Sequence, residues 1–223
     1  MLQRLLSDEL ETFYWMGFIL ADGWVVSKID SKNNKISHLG ISIQSRDRTH
    51  LENFLKWVDI PTTRIRTRSR NTNFKNGSTD VSICITDQVS VPLIKEKFGI
   101  NNDKTNNPPN MSEYGFTEEQ TIALIIGFID GDGSVAMRSH RRPHISIQTS
   151  KEWYNNLELI NEVVHEFCGE SIRNNVCINR RGHASLSLCK CIIAAKLKQF
   201  IIDNNLPALE RKWEVINASD LTK

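Results

Sequence analysis

Two stretches of the chain alternate in neither the strand nor the surface-helix manner; they are apolar on every side. Trp15 to Gly23 reads WMGFILADG and Ile125 to Gly133 reads IIGFIDGDG. Each places small residues four apart, Gly17 with Ala21 and Gly127 with Gly131. Residues four apart share a helix face, so each run offers a strip where a second backbone can come close. The pattern predicts a first buried helix from an N-cap at Ser7 to Asp22, with Gly23 as its C-cap. It predicts a second from a capping box at Thr117 and Gln120 to Asp132.

The two helices also lead into the same order of elements. Trp24 to Ile29 and Ile36 to Gln44 read as strands, with Leu39, Ile41 and Ile43 on a core face and Gly40, Ser42 and Gln44 opposite. Asp47 to Val58 has helical spacing. Arg64 to Arg70 and Val81 to Ile85 are strands joined by a turn at Asn76-Gly77, and Val89 to Phe98 is a helix. In the second half, Val135 and Met137 mark a strand, and HISIQ at 144–148 echoes GISIQ at 40–44. Leu157, Ile160, Val164 and Phe167 mark a helix. Ser171 to Ile178 and Ala184 to Leu188 are strands, and Ile192 to Ile201 is helical. The expected architecture is α+β, an αββαββα unit written twice. The repeats span 1–100 and 117–223, with the Asn- and Pro-rich 101–116 as linker.

Composition narrows the class. The chain has 223 residues, 39% hydrophobic and 24% charged, the balance of an ordinary globular protein. Its five cysteines form no C-x-x-C pair and point to reduced thiols in a soluble, intracellular protein, cytoplasmic or organellar. The apolar runs are too short to span a bilayer, and no membrane role is expected. His50 and His165 fall on amphipathic helices and read as surface or boundary residues. A net charge of +2 implies no nucleic-acid binding by itself, so the distribution matters. RIRTRSR puts Arg64, Arg66, Arg68 and Arg70 on one face of a strand. Arg138, Arg141, Arg142 and His144, and then Arg173, Arg180, Arg181 and His183, are the counterparts in the second half. The positive charge is expected on the sheets and the acids on the helices. A basic, polar sheet face suits the DNA major groove.

Asp22 and Asp132 carry the candidate chemistry. A carboxylate at a helix C-terminus is disfavoured by the dipole, by roughly 0.3–1 kcal/mol. Two brought together would repel, and a bound cation would offset both effects. Oxygen ligands favour Mg²⁺, with Mn²⁺ or Ca²⁺ able to occupy the same sites. Lys104 and Lys212 come after the two aspartates at nearly equal chain separations and can reach back to them, with Arg211 a rival for Lys212.

WMGFILADG and IIGFIDGDG resemble the two motifs of a monomeric LAGLIDADG homing endonuclease, and the duplicated order extends the resemblance over nearly the whole chain. The resemblance implies four-stranded antiparallel sheets forming a DNA-binding saddle, with the motif helices between them. It implies that Asp22 and Asp132 hold the metal, that the carbonyls of Ala21 and Gly131 assist, and that Lys104 and Lys212 are the basic-pocket lysines. The motif's first Asp is kept at Asp130 and replaced at Leu20. Expected DNA contacts are Lys28, Ser42, Gln44, Arg46, Arg64, Arg66, Arg68, Arg70, Arg138, His140, His144, Ser146, Gln148, Arg173, Arg180 and Arg181. The expected function is a site-specific, Mg²⁺-dependent double-strand DNA endonuclease acting as a monomer. The alternatives are an RNA maturase binding its own intron RNA, or a catalytically silent DNA-binding regulator.

Overall fold

The computed structural model describes residues 1–70, 78–138, 142–171 and 173–216, apart from the side chains of Arg70 and Ser78. The expected Asn76-Gly77 turn, Arg141 and His140 lie outside the described residues. In chain order the elements are α1 (Leu10–Asp22), β1 (Gly23–Ile29), β2 (Lys35–Gln44), α2 (Arg48–Trp57), β3 (Arg66–Arg70), β4 (Ser78–Thr86) and α3 (Ser90–Lys97). The second half contributes α4 (Glu118–Asp132), β5 (Gly133–Arg138), β6 (Arg142–Ser150), α5 (Tyr154–Phe167), β7 (Cys177–Ile178), β8 (His183–Leu188), α6 (Cys191–Asp203) and α7 (Glu210–Trp213). The doubled αββαββα order is present, with α7 appended. Each half builds a four-stranded antiparallel sheet of the same topology, β1-β2-β4-β3 and β5-β6-β8-β7. Among the described residues no helix is long and apolar enough to cross a membrane.

The compact units do not coincide with the repeat boundaries. Unit 1 comprises Met1–Ser7 with Asp22–Asn102, and unit 2 comprises Asp8–Ala21 with Asp103–Lys223. Most of α1 therefore packs within the second unit.

In unit 1 the alternation of β2 works as expected. Leu39, Ile41 and Ile43 pair with Ile85, Ile83 and Val81, and all six are buried. Gly40 on the opposite face lies directly beneath the Trp24 ring, and a Cβ there would come within 2.0 Å of it. α1 begins at Leu10, three residues after Ser7. Residues Gln3–Leu6 form a 3₁₀ turn that ends at Ser7 and buries Leu2 and Leu5. Asp87 anchors this turn: its carboxylate accepts the backbone N–H of Leu2 at 3.1 Å, and those of Val89 and Ser90 at the start of α3. Burial works against that charge, but these N–H donors win and hold its pKa far below the usual carboxylate range.

In unit 2, α1 and α4 pack backbone to backbone. A Cβ on Gly17 would sit 1.9 Å from the Leu124 carbonyl oxygen, and one on Gly127 would sit 1.9 Å from that of Tyr14. Phe13 through Leu20 and Ile122 through Asp130 are buried without exception. The capping box at Thr117 and Gln120 is formed. Gly133 comes directly after α4 in extended backbone (φ −88°, ψ 168°), and glycine is needed because a Cβ would meet the Ile129 carbonyl oxygen at 2.5 Å.

The expected linker is pinned to unit 2. Asn156 of α5 donates to the Pro109 carbonyl at 2.8 Å and accepts the Met111 N–H at 3.1 Å. Ser150 and Trp153 donate to the carbonyls of Thr105 and Lys104, at 2.6 and 3.0 Å. His50 and His165 are buried rather than at the surface. His165 is fully enclosed; its Nδ1 lies 2.7 Å from the Asn161 carbonyl oxygen, while Nε2 has no hydrogen-bond partner among the described residues. The strand expected over Ser171 to Ile178 shrinks to Cys177–Ile178.

Candidate functional site

The site is built at the C-terminal ends of the two motif helices, where the last carbonyls have no partner within the helix. At the end of α4, Lys212 supplies the donor. Its side chain is only 7% exposed, and Nζ donates to Ile129 O at 3.0 Å, to Gly133 O at 2.7 Å and to Asp130 O, with Gly131 O at 3.4 Å. Arg211 is exposed, so the neighbouring lysine fills this position. At the end of α1, Lys104 Nζ donates to Leu20 O at 2.5 Å and to Ala21 O at 2.9 Å. An ammonium at a helix C-terminus is favoured both by these bonds and by the dipole.

The motif position before each terminal Asp-Gly behaves differently in the two helices. Leu20 is apolar core. Asp130 is 1% exposed and fully bonded: Oδ2 accepts from the Tyr14 hydroxyl at 2.7 Å and the Leu209 N–H at 2.8 Å, and Oδ1 from the Trp213 indole at 2.8 Å. Burial lifts its pKa, while these three bonds and the Lys212 charge oppose the rise. Desolvation and the Asp130 charge together push the Tyr14 hydroxyl upward as well.

Asp132 ends α4 at the mouth of a cavity of about 330 Å³ lined by Leu20, Ala21, Lys104, Gln148 and His183. One side of the carboxylate is open to solvent, but the protein crowding its other sides raises its pKa, and the charges of Lys104 and Lys212 pull it back. Among the described residues no hydrogen-bond donor reaches this carboxylate. Asp22 is the last residue of α1 and leads directly into β1, as Asp132 leads into β5. A partly crowded carboxylate without a donor, at a helix end next to backbone carbonyls, offers the hard oxygen ligands that Mg²⁺ takes. Ala21 O and Gly131 O already face lysines, but a carbonyl has two lone pairs, so the two roles are compatible. Among the described residues no group of three or more His, Cys, Asp or Glu side chains stands ready to hold a metal.

The sheets place the expected DNA contacts unevenly. In unit 1, Lys28, Ser42, Gln44, Arg66 and Arg68 share the face opposite the core, with Ser42 opposite Ser82 and Ser82 opposite Arg66. Arg70 ends β3, and its side chain is outside the described part. Arg64 is not on the strand: it closes a 3₁₀ turn, Thr62–Arg64, after Pro61. Arg46 lies in the turn after β2, 3.9 Å from the Asp47 carboxylate. The expected separation of charges, acids on helices and bases on sheets, is broken by Asp80 on β4, which sits between Gln44 and Arg68.

In unit 2, Arg138, Ser146 and Gln148 share the face opposite the core, and Arg138 lies beside Arg142. His144 is on that face but only 6% exposed; burial and the Arg138 charge lower its pKa, so it is neutral rather than basic. Arg173 leaves the sheet altogether, because β7 does not extend to it. It pairs with Glu162 at 3.0 Å and Glu166 at 3.5 Å on α5. Arg180 and Arg181 are exposed in the β7–β8 turn, held by the Asn179 side chain accepting the N–H groups of Arg181 and His183.

No protein-family model matches the sequence, and no curated protein does. Solved structures do. The homing endonuclease I-WcaI bound to its DNA recognition sequence aligns with 93% of this chain and 87% of its own, at a TM-score of 0.63 and 14% identity. The I-LtrWI LAGLIDADG homing endonuclease bound to target DNA aligns with 93% of this chain and 88% of its own, at 0.55 and 12%. Variants of the homing endonuclease I-DmoI align with 86% of this chain and 88% of their own, at 0.54 and 14%. The chain has the LAGLIDADG homing endonuclease fold.

Within that fold the residues around the helix ends include several that sequence reasoning passed over. Tyr14, Leu209 and Trp213 surround Asp130, and Ser150, Trp153 and His183 stand near Lys104 or the cavity. The signal available for Tyr14, Trp153 and Trp213 was an aromatic with a polar tip in an apolar setting, which needs a partner when buried. For a backbone N–H such as that of Leu209 there was none.

Proposed function

We propose that the chain is a site-specific DNA endonuclease that makes a double-strand break by Mg²⁺-dependent phosphodiester hydrolysis, acting as a monomer. What carries this reading is the matched pair of helix ends. Each has an Asp-Gly terminus leading into a sheet, and each has its carbonyls engaged by a lysine from a distant segment, on a fold whose solved relatives are DNA-bound endonucleases.

Asp22 at one helix end and Asp132 at the other would each offer a carboxylate to Mg²⁺, with Ala21 O and Gly131 O as auxiliary donors. The chemistry these residues would gain from a bound Mg²⁺ is polarisation of the scissile phosphate and a lowered pKa of water. Lys104 and Lys212, whose charges both act on Asp132, would steady the phosphate as its charge grows. One phosphate on each strand is attacked, one at each helix end. Lys28, Ser42, Gln44, Arg66 and Arg68 on one sheet, and Arg138, Ser146 and Gln148 on the other, would read bases and phosphates. Arg46, Arg64, Arg180 and Arg181, in exposed turns, suit phosphate contacts. Arg173 and His144 are withdrawn from that set by ion pairing and by burial.

A cleavage selection from a randomised DNA library with Mg²⁺ identifies the target and tests the reading. On that target Asp22→Asn and Asp132→Asn are expected to abolish cutting while affinity at fixed salt largely survives. Retained cutting in either variant overturns the metal assignment, and binding without any cutting by the wild type overturns the nuclease.

A further inference from the structure

Lys212 reaches the end of α4 only because α7 is held in place. That helix is four residues long, far too short to be stable by itself. The group that holds it is Asp130. Its Oδ2 accepts the Leu209 N–H at 2.8 Å and its Oδ1 the Trp213 indole N–H at 2.8 Å, so one carboxylate grips the segment on both sides of Lys212. The Tyr14 hydroxyl, at 2.7 Å, fixes the same carboxylate to α1. Between the two grips, Lys212 Nζ bonds Ile129 O and Gly133 O, the carbonyls that bracket the turn presenting Asp132. The end of α1 is supported differently. The matching position is Leu20, and the backbone carrying Lys104 is held by Trp153 and Ser150 instead.

We propose that Asp130 is a positioning residue for one of the two strand cuts: by clamping Leu209 and Trp213 it holds the Lys212 ammonium beside Asp132. The proposal rests on the endonuclease reading above, in which each helix end serves one scissile phosphate. Asp130 is buried with both oxygens engaged by protein donors, so it acts through Lys212. Its effect is confined to the Asp132 end, because Lys104 has a separate support.

The test uses Asp130→Asn and Trp213→Phe in the full chain, on a supercoiled plasmid bearing the selected target. One strand is expected to be cut at the wild-type rate and the other about 10- to 100-fold more slowly, so that nicked circles accumulate while the Kd for the target is unchanged. Tyr14→Phe removes the bond on the side away from Lys212 and is expected to nick less. Hydrogen exchange gives an independent readout: the Leu209 amide loses protection in Asp130→Asn while the amides of α4 keep theirs. A variant that linearises the plasmid with wild-type timing, that slows both strands equally, or that keeps Leu209 protected overturns the proposal. If the wild type itself cuts neither strand of a target it binds, the endonuclease reading has failed and the proposal falls with it. If the wild type linearises and the variants do too, only the proposal has failed.

Discussion

The ends of α1 and α4 are the same device supported in two ways. Both bring a distant lysine onto unpaired helix carbonyls, Lys104 onto Leu20 and Ala21, and Lys212 onto Ile129, Asp130, Gly131 and Gly133. One lysine rides on a pinned linker, the other on a short helix clamped by a buried carboxylate. The difference teaches that the motif's two aspartate positions do separate jobs. The last ends the helix and is the proposed metal ligand, and the one two before it belongs to packing at α4, where Tyr14, Leu209 and Trp213 supply donors. At Leu20 the same position is simply filled with hydrocarbon.

The most severe way to break that comparison is to force symmetry on it. Leu20→Asp places a carboxylate in full burial without the Tyr, Trp and backbone donors that serve Asp130. A loss of about 3–5 kcal/mol in denaturant unfolding is expected, as for an uncompensated buried charge. A loss below about 1 kcal/mol would show that the α1 end can rearrange to supply donors. Gly17→Ala and Gly127→Ala come next, because a Cβ at either meets backbone rather than a flexible side chain. Each should cost about 1–3 kcal/mol or more, and similar values for the two would confirm that the helix packing is symmetric where the aspartates are not.

Smaller effects sharpen the lysine comparison. Lys212→Met leaves several buried carbonyls without a donor and should destabilise by about 1–3 kcal/mol, more than Lys104→Met at its two-carbonyl, half-buried position. Equal losses by thermal melting would remove the distinction. The mildest prediction concerns Asp132. Its pKa is raised in the folded state, so its contribution to stability is present below the unfolded value of about 4 and lost as pH rises through the folded value. At neutral pH without divalent ions, Asp132→Asn should therefore melt slightly higher than the wild type. Added Mg²⁺ should raise the wild-type Tm and leave that of the variant in place. A wild type indifferent to Mg²⁺ in the presence of its DNA would argue against an ion at this site.

Much of the fold and of the site is legible in the chain because it is local and periodic. The two apolar helices, the alternation of Leu39, Ile41 and Ile43, and the echo of GISIQ in HISIQ all register in short windows. What failed depended on partners that only the packing of one element against the next supplies. Arg173 reads as a strand residue until Glu162 and Glu166, one helix earlier, claim it. The basic strand reads as purely basic until β4 lays Asp80 opposite Arg68, a register that only pairing reveals.

The sequence by itself determined the duplication and the two Asp-Gly helix ends, because burial periodicity and chemical type are properties of short segments. Tertiary structure alone decided the fate of Asp130. A carboxylate in an apolar run is a destabilising choice or a clamp according to whether donors arrive, and its donors come from Tyr14 on the other motif helix and from Leu209 and Trp213 far along the chain. It likewise decided that Lys212 rather than Arg211 reaches the helix end, since which of two adjacent side chains points inward depends on how α7 is held against α4.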